Sequence, residues 1–139
     1  EKAEDRSVNG KSHLENLKES VNEIEEAVSV GLTKKQRTLG FNTSAGAIDI
    51  LEIILHKHNL IDPGFVIKHE WFNSTNIIKE KFNFDFPRKD EILDLIKKIE
   101  NVRNIFCYGK RQEEPNLIEV VNNFNKLKNI FVEVTKYEL

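Results

Sequence analysis

Apolar residues along this chain recur at alternating three- and four-residue steps, and little interrupts them. Only 6 glycines and 3 prolines are spread over 139 residues. That pairing restricts the chain to helices, because strands require alternation and loop-rich folds require more turn residues. Leu14, Leu17, Val21, Ile24 and Val28 form one stripe of a first helix. Ser12 is its expected N-cap, Glu15 completes a capping box and Gly31 supplies the stop.

A second helix is expected from about Thr33, acting as cap, to Leu60. Its small residues Gly40, Ala45, Gly46 and Ala47 mark a central helix that other backbones approach closely. Asp62, Pro63 and Gly64 form the turn after it. An aromatic-rich stretch follows, with a third helix expected over 68–81 and a loop through Phe84 to Pro87. Phe82, Phe84 and Phe86 alternate as a strand would, but without a partner strand the loop is preferred. Pro87 is expected in the first turn of a fourth helix, striped by Ile92, Leu95, Ile96, Ile99, Val102 and Phe106 and stopped by Gly109. Pro115 opens a fifth, striped by Leu117, Val120, Val121, Phe124, Leu127, Ile130, Phe131 and Val134. The expected fold is an all-α antiparallel bundle of about five helices. Residues 1–12 are expected to be a flexible segment and 13–139 a single domain.

Lysine and arginine number 21 against 23 acids, so a net charge of −2 excludes a broadly basic coat for nucleic acid. A single cysteine, Cys107, excludes an internal disulfide framework and a Cys-based zinc finger. No apolar run approaches the ~18–20 residues needed to span a bilayer. No signal-peptide pattern opens the chain. The expectation is a cytoplasmic protein with no membrane partner.

The end of the fourth helix carries the most chemistry, in the run Val102, Arg103, Asn104, Ile105, Phe106, Cys107, Tyr108, Gly109, Lys110 and Arg111. Arg103 offers a planar fork of donors suited to phosphate or carboxylate. Two readings stand: it pairs with an acid of a neighbouring helix, or it reaches a groove. Lys110 and Arg111 complement the helix C-terminus or add to a cationic pole.

Five helices, a second helix rich in small residues, and Arg103 with Asn104 near the end of the fourth together resemble the HEPN domains of prokaryotes. The resemblance covers roughly Leu14 to Val134 and rests on a short motif: Arg, then Asn or Asp, then a His four to six residues beyond the Arg. It implies a symmetric homodimer in which two motifs face each other across one composite site. Active members of that family are metal-independent ribonucleases without cofactors, often toxins encoded beside a minimal nucleotidyltransferase antitoxin. Arg103 and Asn104 match the motif, whereas Tyr108 stands where His is expected. A histidine of pKa ~6.5 takes a proton from a ribose 2′-hydroxyl at neutral pH, whereas a tyrosine of pKa ~10 is only ~0.1% ionised there. Tyr108 can still donate a hydrogen bond or stack on an unpaired base. The family's nucleotidylated tyrosine lies two residues past the His, a position held here by Lys110.

Outside this run, Ser44 and Asp49 are expected either as a solvated polar streak or as residues lining the groove opposite Arg103 and orienting its guanidinium. His56 and His58 are two apart and share no helix face, while Glu52 and His56 are spaced to pair. No metal site is expected, since further ligands would have to arrive from elsewhere. His69 is read as a half-buried polar rim residue and Cys107 as a buried, inert thiol. The aromatic cluster around Trp71 reads as core plus dimer contact. The expected function is an HEPN-like homodimer that binds RNA or a nucleotidyltransferase, a toxin–antitoxin component with impaired catalysis. The alternative is an active metal-independent endoribonuclease; a helical interaction protein of unrelated ancestry is a third reading.

Overall fold

The computed structural model describes residues 12–139 in full and the backbone of 2–11. Helix α1 (Lys2–Val30) lies along α2 (Gln36–Lys57), and α2 also packs on α4 (Lys89–Tyr108) and α5 (Glu114–Thr135). The short α3 (Thr75–Lys81) completes an all-α bundle, and no strand occurs among the described residues. A flexible segment over 1–12 falls mostly outside the described side chains. Ser12, however, is no N-cap, because the α1 backbone runs straight through it. Leu17, Val21 and Ile24 are buried as the stripe requires, but the last turn buries Ala27 and leaves Val28 in solvent.

Gly31 makes the first corner at φ 130°, a conformation that side chains resist. A 3₁₀ turn (Leu32–Lys35) follows, so Thr33 lies inside it and α2 starts at Gln36. α2 is the core of the molecule: Leu39, Ile50, Leu51, Ile54 and Leu55 are all fully buried. Its small residues set the spacing. A Cβ on Gly40 would lie 2.7 Å from Phe106 Cβ, and one on Gly46 would lie 2.8 Å from the Phe124 ring. Length and composition alone would let Leu32–Lys57 cross a bilayer, contrary to expectation, yet 72% of the qualifying window is buried as in a core helix.

The turn at Asp62 closes with a 2.9 Å bond from the Phe65 amide. The helix expected over 68–81 is broken in two. His69–Asn73 is a 3₁₀ turn, Ser74 is extended, and its hydroxyl accepts from the amides of Asn76 and Ile77 to cap α3. Here a side-chain cap outcompetes helical continuity. The aromatics form a chain of ring contacts from Phe65 through Trp71, Phe82 and Phe84 to Phe86. Phe72, Phe82 and Phe86 are buried, so this cluster is core. Pro87 precedes α4 rather than joining its first turn. The N-cap is Arg88 in the left-handed region (φ 57°), held by Glu91 and Glu133. Gly109 ends α4 in an extended conformation, and Pro115 sits in the first turn of α5 as expected.

Candidate functional site

Close approach at Gly40 places the face of α4 bearing Glu100, Arg103 and Cys107 against α2. Ser44, one turn beyond Gly40, then meets Glu100. The Ser44 hydroxyl is fully buried and donates to Glu100 Oε2 at 2.8 Å. The 3₁₀ turn at His69 packs on the same face of α4, and its Nδ1 lies 2.9 Å from Glu100 Oε2 and 3.0 Å from Ser44 Oγ. The tautomer that matches a carboxylate acceptor is the one with the proton on Nδ1, donating to Glu100. In the neutral ring, Nε2 then keeps its lone pair. The His69 side chain is 42% exposed and lines the cleft beside Arg103.

His69 and Glu100 of this network line a cleft of about 530 Å³. Lys68, His69, Glu70 and Asn73 line one side; Glu100, Arg103 and Asn104 line the other. Arg103 is half-buried. Its guanidinium carbon is 5.7 Å from the centre of the Phe41 ring, and its buried Nε has no hydrogen-bond partner. Two acids line the cleft with it, Glu70 and Glu100, and Oε2 of Glu100 already accepts from Ser44 and His69. The cleft therefore holds a positive fork, its Nε unpaired, beside a carboxylate that spends one oxygen on Ser44 and His69, an arrangement open to an incoming anion.

Of the residues singled out in the sequence, Arg103 and Asn104 share this cleft. Tyr108 does not: it is 66% exposed, edge-on to Phe41 with Arg37 over its ring. Lys110 and Arg111 lie beyond the end of α4 and do not line the cleft, and the Lys110 carbonyl accepts from Gln36. Ser44 orients Glu100 and His69 rather than the guanidinium. Asp49 points elsewhere altogether, to His13. Cys107 is buried, and burial pushes its thiol pKa up, partly offset by Arg103 and Arg37. That is the inert thiol the sequence suggests.

Two partners escaped sequence reasoning. Glu100 is an acid among the buried residues of α4, a signal that a buried polar contact awaits it. His69 gave no such signal, because its position depends on the break at Ser74.

A second polar cluster lies where α1 crosses α2. Asp49, Glu52 and His56 follow one stripe of α2, and His13 reaches them from α1. Its Nδ1 is 2.8 Å from Asp49 and its Nε2 is 2.5 Å from Glu52. Hydrogen bonds to both carboxylates raise the His13 pKa to about 9 against the opposing effect of burial. Burial pushes Asp49 up, with His13 working against the shift.

Compared with known proteins, the chain matches no family model, no curated protein and no solved structure.

Proposed function

We propose that this chain is an HEPN-like homodimeric protein that binds RNA through a backbone phosphate at the Arg103 cleft, as a toxin–antitoxin-type component partnered by a minimal nucleotidyltransferase. The supporting observation is the half-buried Arg103 guanidinium, whose buried Nε has no hydrogen-bond partner while Oε2 of Glu100 in the same cleft is taken by Ser44 and His69. Asn104 and Lys68 add a neutral donor and a second cation beside it. A net charge of −2 suits a local phosphate contact rather than a coat of positive charge. The homodimer is formed through α2 and α4, bringing the two Arg103 side chains towards the two-fold axis.

His69 favours a second reading, cleavage of the RNA without metal. Anchored by Glu100 through Nδ1, its Nε2 takes the proton from a ribose 2′-hydroxyl. The 2′-oxygen attacks phosphorus, the bond to the 5′-oxygen breaks, and the departing oxygen is protonated by the imidazolium or by water. The products are a 2′,3′-cyclic phosphate and a 5′-hydroxyl. Arg103 offsets charge on the pentavalent phosphorus. His69 thereby takes the task that Tyr108 is unsuited to perform.

Fluorescence anisotropy with a structured RNA tests the first reading and gel analysis in EDTA tests the second. Binding should weaken by about 10-fold or more in Arg103→Ala. Cleavage should vanish in His69→Ala while surviving in Tyr108→Phe. RNA that binds both wild type and Arg103→Ala equally, or neither, removes the phosphate site. Absence of cleavage with binding intact leaves the binding protein alone.

A further inference from the structure

We propose that His13, Glu52 and His56 form a zinc site that pins α1 to α2, with Asp49 as the residue that positions His13. One donor atom from each of the three residues lies within 4.8 Å of the other two. Around a tetrahedral zinc ion with bonds of ~2.0 Å, donors sit ~3.3 Å apart, so small side-chain rotations suffice to admit the ion. Glu52 and His56 are i, i+4 on α2, and the His13 and His56 rings lie nearly parallel, 22° apart with centroids at 6.2 Å. Two imidazoles and one carboxylate make the donor set of an open zinc site, leaving a fourth position for water.

The surroundings match what zinc ligands need. A ligating imidazole is normally held through its other nitrogen by a carboxylate, and Asp49 sits 2.8 Å from His13 Nδ1, leaving Nε2 for the ion. A ligating carboxylate is normally held by a hydrogen bond, and the Ile67 amide donates to Glu52 Oε1 at 3.2 Å, leaving Oε2 directed at His13. Glu52 and His56 are buried and His13 is 27% exposed, so the ion would be shielded yet reachable. A divalent cation also cancels the charge of two neighbouring carboxylates, whereas one imidazolium cancels half of it. Entry of zinc displaces the proton shared between His13 and Glu52 into solvent. The site shares no residue with the Arg103 cleft, so either reading stands or falls alone.

The test uses the untagged chain, stripped with EDTA and titrated with zinc alone by calorimetry. One equivalent should bind per chain with sub-micromolar affinity. In ¹⁵N spectra of the wild type, two of the 4 histidine side chains should shift, and cobalt(II) should give the strong visible absorption of four-coordinate metal. His13→Gln and His56→Gln should lose at least about 100-fold in affinity, and Asp49→Asn about 10–100-fold. Zinc should raise the melting temperature of the wild type and not of His56→Gln. No stoichiometric binding by the wild type, binding undiminished in both histidine variants, or shifts of His58 and His69 instead would overturn the site. The wild-type spectra decide the matter even if a variant fails to fold.

Discussion

Glu100 and Arg103 stand one helical turn apart on α4, yet no ion pair joins them, and Ser44 and His69 both bond Oε2 of the carboxylate. The alternative that Arg103 merely pairs with an acid of a neighbouring helix therefore finds no support among the described residues. Arg103→Lys, which keeps the charge and loses the planar fork, should recover only part of the RNA affinity lost in Arg103→Ala, as read by anisotropy. Equal binding by both variants would reduce the residue to a point charge or to nothing. His13 sets a pH dependence of folding in the metal-free protein, where Asp49, Glu52 and His56 face it. Its folded pKa, about 9, exceeds the ordinary value of 6.5, so its contribution is complete below pH ~6.5 and disappears as pH rises through 9. The raised Asp49 acts in the same direction, favouring the fold as pH falls. Because His13 is partly exposed, the loss between pH 6 and 9 should be about 1–2 kcal/mol. Urea titrations in EDTA should show that decline in the wild type and a flatter profile in His13→Gln.

The smallest residues of α2 let its neighbouring helices approach closely. Gly40 faces Phe106 Cβ and the Cys107 backbone nitrogen of α4, atoms that cannot swing away. Gly46 faces the outer edge of the Phe124 ring on α5, which can tilt. Gly40→Ala should therefore destabilise by about 1–3 kcal/mol despite alanine's better helix propensity, and Gly46→Ala by less, as measured by chemical denaturation. Equal costs would mean that both contacts relax alike. Helices α2, α4 and α5 were legible in the apolar spacing because burial enforces that period over several turns. Their ends were less so. Ser12, Thr33 and Pro87 all have the chemistry of helix starts, but none begins a helix: Ser12 lies inside α1, Thr33 inside a 3₁₀ turn, and Pro87 in the turn before α4. Ser74, in contrast, does cap one.

For the whole molecule, the dimer is the property that the HEPN-like reading most needs. Size-exclusion chromatography with light scattering should give twice the 16.2 kDa chain mass at micromolar concentration, and a monomer would count heavily against the two-fold arrangement of Arg103. Exposed Tyr108 and Arg37 pack on half-buried Phe41 at the α2–α4 end, so Tyr108→Glu should weaken such a dimer without unfolding the chain. By itself the sequence determined the helical class, the central place of α2 and the presence of Arg103 and Asn104 on one turn of α4, because hydrophobic period and small-residue content act locally along the chain. Which acids and imidazoles meet was decided by tertiary structure alone. His13 and Asp49 are 36 residues apart and Ser44 and Glu100 are 56 apart, and pairs that distant are joined only by how deeply α1 and α4 settle against α2.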